Sequence, residues 1–151
     1  MDEAGEPDPQ TVAERVGRGM LANDPASQGL GIALEAIAPG YARMTMRVRP
    51  DMLNGFRIAH GGFITTLADS AFAFACNSRN ALTVAAGFSV DLLAPAHEGE
   101  QLVAEAREVS LRGRTGLYDV TVTNPKGETV AVLRGRSHRL KDRQVVPPDR
   151  D

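Results

Sequence analysis

The stretch Asn54-Gly-Phe-Arg-Ile-Ala-His60-Gly-Gly-Phe-Ile-Thr-Thr-Leu-Ala-Asp69-Ser-Ala-Phe-Ala-Phe-Ala-Cys-Asn77-Ser-Arg-Asn80 decides how the rest of the chain is read. It is the only long helical signal. From Phe63 to Cys76 it is apolar or small except at Thr65, Thr66, Asp69 and Ser70, and a helix of that kind is buried. Projected at about 100° per residue, Ile64, Leu67, Ala68, Ala71, Phe74 and Ala75 make one apolar arc. Thr66, Asp69, Ser70, Ala73 and Asn77 gather opposite. That second face carries no Lys, Glu or Arg before Arg79, so it is read as packed, with Asp69 lining a semi-enclosed cleft. An unpaired buried carboxylate is costly, which makes Asp69 the most informative residue in the chain. The plain alternative is a core carboxylate paired with an arginine.

The helix opens on His60-Gly61-Gly62, where glycine lets a ligand approach the backbone closely. Asp69 lies eight residues past Gly61, about 12 Å along the axis at the usual helical rise. One helix therefore cannot bring its N-terminus and Asp69 to the same substrate atom. Two helices paired antiparallel about a two-fold axis can, each Asp69 facing the other's His60-Gly61-Gly62 turn.

The 151 residues suit one domain with a proper core. A net charge of −2 gives no basic field for nucleic acid, and no apolar run is long enough to span a bilayer. One cysteine, Cys76, excludes an intrachain disulfide and a cysteine zinc cluster. His60, His97 and His138 are too scattered for a metal-ligand pattern. The acidic start MDEAGEPDPQ lacks a secretion signal, so a cytoplasmic protein is expected.

Residues 1–10 are expected to be a disordered tail, 11–140 the domain, and 141–151 a charged tail that frays. Thr11 and Glu14 form a candidate capping box for a first helix. Asn23 to Gly29 reads as loop. Leu30–Ala38 and Tyr41–Val48 read as a hairpin across Pro39-Gly40, with Ala42, Met44, Met46 and Val48 on one face. Four further strands follow. Leu82–Leu93 is apolar. Gln101–Leu111 has Leu102, Ala104, Ala106 and Val109 in register, Gly116–Thr123 has Leu117, Val120 and Val122, and Thr129–Ser137 has Val130, Val132 and Arg134. The expected architecture is α+β: an antiparallel sheet of about six strands around one long helix, with sheet edges that pairing between subunits could close.

Leu53-Asn54-Gly55, His60-Gly61-Gly62, Leu67-Ala68-Asp69-Ser70-Ala71 and Ala75-Cys76-Asn77-Ser78 together resemble the PaaI-type (phenylacetic acid degradation) thioesterases of the hotdog superfamily. The likeness continues through Val90-Asp91-Leu92-Leu93-Ala94-Pro95, Tyr118-Asp119-Val120 and Arg134-Gly135-Arg136-Ser137-His138-Arg139, covering about residues 12 to 140. It implies a hotdog fold, a homodimer with two shared active sites, commonly a dimer of dimers, and hydrolysis of acyl-CoA thioesters, often aryl-acetyl ones such as phenylacetyl-CoA or its hydroxylated relatives. It implies no cofactor, since coenzyme A enters as part of the substrate.

Carried over by position, Asp69 is the catalytic carboxylate, the Gly61 N–H the oxyanion donor, and Asn54 and His60 flank the thioester. Ser70 stands where the family often has Thr. Gly62, Thr66 and Ser70 are candidate substrate contacts, and Arg134 and Arg136 candidates for the coenzyme A phosphates. The chemistry fits independently: thioester hydrolysis builds charge on the carbonyl oxygen, and a helix N-terminus supplies free N–H donors. A carboxylate in a dry cleft can activate water or attack the carbonyl. The alternatives are an acyl-CoA hydratase or dehydratase on the same fold, and a non-catalytic acyl-CoA binding protein.

Overall fold

The computed structural model describes residues 5–147; of the expected tails at 1–10 and 141–151, residues 1–4 and 148–151 lie outside the described residues. Helix α1 spans Pro9–Ala22 and α2 Pro25–Gly29. Strands β1 (Ala33–Ala38) and β2 (Tyr41–Arg47) form the first hairpin. A 3-10 turn at Pro50–Met52 leads to the long helix α3, Gly61–Asn77. Then come β3 (Ala81–Leu92), β4 (Gln101–Arg112), β5 (Thr115–Thr123) and β6 (Thr129–Gln144). The six strands form one antiparallel sheet in the order β1-β2-β4-β5-β6-β3, with α3 packed against it, as the sequence pattern led us to expect.

The core lies between the two. Every residue of the apolar arc of α3 is buried, and Phe72 joins them. They meet Met44 and Met46 of β2, Leu102, Ala104 and Ala106 of β4, Tyr118, Val120 and Val122 of β5, and Leu133 of β6. Phe72 makes the tightest fit. Its ring lies 5.6 Å from that of Tyr118, and a Cβ on Gly135 would stand 2.8 Å from its Cζ.

Five expectations need correction. Helix α1 starts at Pro9 rather than Thr11, because Asp8 accepts the Thr11 N–H (3.1 Å) and so caps the helix in place of a Thr11–Glu14 box. Residues 25–29 are helical, capped in the same way by Asp24, which accepts from Ser27 N (2.9 Å). The inward face of β5 is Gly116, Tyr118, Val120 and Val122, so Leu117 is only partly buried. The inward face of β6 is Ala131, Leu133, Gly135 and Ser137; Arg134 points out. Strand β5 alternates without a break from Gly116 to Val122, so Leu117 is simply on its outer row. In β6 the ladder irregularity at Val122/Thr123 skips Val130, so that Val130 and Ala131 are both buried and the alternation that follows is shifted, since a one-residue slip exchanges the faces of a strand. The irregularity at Glu108/Ser110 skips Val109 of β4 and leaves it exposed.

The fifth correction concerns the end of β6. The strand does not fray after Leu140 but runs to Gln144, whose partner is Ala81. Asn80, in the left-handed region at φ 65°, accepts from Val145 N (3.0 Å) and Val146 N (2.9 Å) and donates to Val146 O (3.0 Å). These bonds hold the end of the chain against the start of β3.

Strand β3 is one edge of the sheet, bonded only to β6. Val84, Phe88 and Leu92 on it, and Leu93 just beyond, are each more than two-fifths exposed.

Because Gly135 faces the closed ring of Phe72, Gly135→Ala overpacks the core. A loss of about 1–3 kcal/mol is expected, read as a lowered thermal midpoint, whereas alanine at exposed Gly99 or Gly127 would be strained only through its backbone.

Candidate active site

The entry to α3 is fixed by a closed loop. His60 N donates to Met52 O (2.8 Å), Ala59 N to Ala96 O (2.8 Å) and Asn54 N to Ile58 O (2.9 Å), and Leu53 bridges Ala59. Asn54 Oδ1 accepts from Phe56 N (2.9 Å) and Ile58 N (3.4 Å). With its oxygen engaged inside the loop, the side chain keeps its two amide N–H donors, which have no partner among the described residues.

His60 is the N-cap of α3. Its Nδ1 accepts from Gly62 N at 3.1 Å, so the neutral ring carries its proton on Nε2. Phe63 N is bonded to His60 O (3.0 Å). Of the first three helical amides, only the Gly61 N–H has no acceptor among the described residues. It is left free at the positive end of the helix dipole. Asn54 and Gly61 line one cleft of about 420 Å³, whose apolar wall is Ile58, Ile64, Leu92 and Leu93. A Cβ on Gly61 would come 2.5 Å from Leu92 Cδ1, so any larger residue here would push the Leu92 side chain aside.

Asp69 lies further along α3 and does not line that cleft. It is half-buried, and no hydrogen bond or ion pair reaches its carboxylate among the described residues. Burial alone pushes its pKa above the usual carboxylate value. Among the described residues the paired-carboxylate alternative therefore has no arginine to supply the pair. Cys76, two turns beyond, has its thiol pushed up to about 12 by burial, which leaves no thiolate to act as a nucleophile.

The other candidates are more dispersed. Thr66 Oγ1 donates to Gly62 O (2.9 Å) on its own helix, and Ser70 Oγ lies 3.0 Å from Ser27 Oγ, which in turn donates to Asp24 Oδ2 (2.6 Å). This link from α2 to the polar face of α3 was missed in the sequence; the signal was Asp24-Pro25, a cap followed by a first-turn proline. Arg134 makes a two-pronged pair with Asp119 (2.7 and 2.8 Å) on the outer face of β5 and β6. Arg136 also points outward, beside Gly87. Leu92, which closes over Gly61, carried no site signal of its own.

With this geometry in hand, the comparisons with known proteins decide the family. The thioesterase superfamily profile matches residues 56–131, which include the Gly61 turn and all of α3. This chain belongs to the thioesterase superfamily. Within it the chain is of PaaI type. It is 41% identical to the acyl-coenzyme A thioesterase PaaI of Escherichia coli over 121 residues, 80% of this chain and 86% of that protein. The solved structure of the E. coli PaaI protein superposes with a TM-score of 0.88, covering 90% of this chain and 99% of that one at 38% identity. A Streptococcus mutans protein solved with acetyl CoA bound is 27% identical with a TM-score of 0.71, over 75% and 91% of the two chains. The fold of this thioesterase-superfamily member is thus the hotdog arrangement of helix and sheet.

The raised pKa of Asp69 has a stability consequence with a definite sign. Between the unfolded and folded pKa values the native state holds more protons than the unfolded one, so stability falls as pH rises through that window. Above the folded pKa the full cost of ionising the half-buried carboxylate is present. Asp69→Asn removes that cost, so at pH 7 its thermal midpoint should equal or exceed that of the wild type, and the advantage should vanish in acid.

Proposed function

We propose that the protein hydrolyses acyl-coenzyme A thioesters, with Asp69 as the base and the Gly61 N–H as the oxyanion donor, in sites shared between two copies of the chain. The observation that carries this reading is the pair of unused groups on α3: an amide left without an acceptor in an apolar-walled cleft, and an unpaired half-buried carboxylate two turns along. The E. coli relative, an acyl-coenzyme A thioesterase by name, supports the same chemistry.

The thioester carbonyl oxygen takes the Gly61 N–H. Asn54 donates its amide to the substrate from the side, and His60 Nε2–H stands at the mouth. Asp69 of the other copy takes a proton from water as its oxygen bonds to the carbonyl carbon. Charge gathers on the carbonyl oxygen, where a preorganised donor contributes about 3–4 kcal/mol. The C–S bond then breaks, the acid is released, and the coenzyme A thiolate takes up the proton. A raised pKa makes Asp69 a better base than an ordinary carboxylate, which favours activation of water over direct attack. No cofactor enters.

The exposed row on β3 supports the dimer. Two edge strands pairing antiparallel about a two-fold axis would extend the sheet across both copies and cover Val84 and Phe88. It would also run the two α3 helices antiparallel, which a shared site requires. Arylacetyl groups are the acyl class we infer, from the apolar cleft wall and the PaaI likeness; phenylacetyl-CoA is the first substrate to assay. Hydration of enoyl-CoA, followed by ultraviolet absorbance, tests the hydratase reading, and ligand binding without thiol release tests the binding-protein reading.

Asp69→Ala should lower turnover of phenylacetyl-CoA by about 10²-fold or more in a thiol-trapping assay, with Asp69→Asn nearly as impaired. The acid limb of the wild-type pH profile should lie above the usual carboxylate range, because the base must be ionised to work. Near-normal turnover in either variant would remove Asp69 from the mechanism. Phe88→Glu on the β3 edge should lower both the solution mass by light scattering and the activity; a wild-type monomer that still turns over would sink the shared site. The same measurement separates a dimer from a dimer of dimers.

A further inference from the structure

The polar face of α3 is tied to α2 by a chain of three side chains whose polarity is fixed from one end. Asp24 Oδ1 accepts from Ser27 N (2.9 Å) and its Oδ2 from Ser27 Oγ (2.6 Å). An ionised carboxylate only accepts, so the one hydroxyl proton of Ser27 points at Asp24. Ser27 Oγ also lies 3.0 Å from Ser70 Oγ. Ser27 has no second proton to give, so Ser70 is the donor in that bond. The Ser70 proton is thereby spent toward α2, and what Ser70 keeps for the face beside Asp69 is a lone pair. Ser27 is buried and Ser70 half-buried, so the relay is sealed at α2 and open at α3. Thr66, one turn earlier in the same row, has likewise given its proton away, to Gly62 O (2.9 Å). With the Asp69 carboxylate beside them, this face offers acceptors alone and carries no cation before Arg79. It suits a neutral ligand group that brings its own N–H, and it suits neither a phosphate nor a carboxylate.

We propose that Ser70 accepts the N–H of the amide nearest the thioester in the carrier arm, and that Asp24 and Ser27 are positioning residues that hold Ser70 in the accepting sense. This rests on the thioesterase reading above and names a contact within that same site. In a coenzyme A thioester the amide nitrogen stands two methylenes beyond the sulfur. Asp69 acts at the carbonyl carbon, on the sulfur's other side, and Ser70 is its neighbour in the chain. Consecutive Cα atoms are about 3.8 Å apart, and successive helical side chains diverge by about 100°. The two oxygens therefore address separate points of one extended ligand rather than a single atom. A carboxylate at the acyl carbon and a hydroxyl at the nearest amide match the arm in order and in polarity. An amide N–H taken out of water without an acceptor is costly, so the contact selects amide-bearing carrier thioesters from simple alkyl ones. A Ser70 hydroxyl free to turn would set its own proton against the N–H for part of the time. The fixed polarity is what α2 supplies.

Two small thioesters isolate this contact. The phenylacetyl thioester of N-acetylcysteamine carries the amide N–H; its O-acetyl counterpart has an ester oxygen in that place. The wild type should prefer the amide by about fivefold in kcat/KM, the worth of one hydrogen bond to a neutral acceptor, and the difference should lie in KM. Ser70→Ala should bring the ratio to about one. Asp24→Asn tests the polarity. Asparagine caps a helix as well as aspartate does, so α2 keeps its start. Its side-chain amide, however, donates to Ser27 Oγ, which releases the Ser27 proton to Ser70 and turns the Ser70 proton toward the ligand. The preference should then vanish with Ser70 intact, a result that a merely structural α2 contact does not give. Ser27→Ala, which leaves the Ser70 hydroxyl free to turn, should fall between. A wild type that hydrolyses both thioesters without preference overturns the proposal and leaves the thioesterase reading standing, as does a wild-type ratio in Asp24→Asn. An equal loss on both thioesters in Ser70→Ala would put Ser70 on the attacking water and overturn it as well. A wild type inactive on both, and on phenylacetyl-CoA, overturns the thioesterase reading and this proposal with it.

Discussion

A carboxylate held half out of water, with nothing to neutralise it among the described residues, is the constraint around which this molecule is arranged. Asp69 sits in the middle of a helix whose other residues are almost all apolar or small, and its ionised form is disfavoured by burial alone. Elsewhere the protein pairs its acids readily: Glu108 takes both Arg79 and Tyr118, Asp119 takes Arg134, and Asp24 and Asp8 cap helices. The chain is rich in arginine, yet among the described residues none reaches Asp69.

That state is maintained by the two ends of α3. At the N-terminus, His60 takes the Gly62 amide and its carbonyl takes Phe63, so one donor, Gly61, is left open and the rest are satisfied. At the C-terminus, Asn77 donates to Ala73 O and Thr83 O and accepts from Thr83 N (2.8, 3.0 and 2.8 Å), which locks the last turn to the start of β3. Ser78 adds a bond from Gly40 N (2.8 Å) to its hydroxyl. With both ends pinned and one face buried in the sheet, the helix cannot rotate. The angular position of Asp69 is then set by the core residues Leu67, Phe72 and Phe74, not by contacts of its own.

Much of this was legible in the sequence, for identifiable reasons. The apolar arc of α3 and the inward face of β2 are strictly periodic, and periodicity alone assigns both residue by residue. The strand count followed from the turn signal at Pro39-Gly40 and from the four separate apolar or alternating segments after the helix. What failed was the parity of β5 and β6. Leu117 is apolar but lies between Gly116 and Tyr118 of the inward row, where a glycine hides the alternation, and in β6 only the ladder irregularity at Val130 decides that Ala131 and Leu133 rather than Val132 face the core. The extent of β6 was hidden for another reason: its last residues are charged and solvent-facing, and their order comes from Asn80, more than sixty residues earlier. Among the candidate site residues, Asn54, His60, Gly61 and Asp69 share short local spacings, so motif reading could nominate them. Leu92 is brought in by a distant strand, and no local pattern marks it.

The order of the strands also explains why the two ends of β3 differ so much in character. This strand is bonded on one side only, and an unprotected apolar edge of twelve residues invites aggregation unless something pairs with it. Edges that are meant to stay single carry charges or proline along their length; β3 has Asp91 alone among its acids and bases. Its cations are gathered instead just beyond its start, on β6 and the turn before β5, and its apolar cover over Gly61 just at its end. That leaves Val84 and Phe88 on an edge without the charges that keep other edges single, and the proposed dimer is built on this strand for that reason.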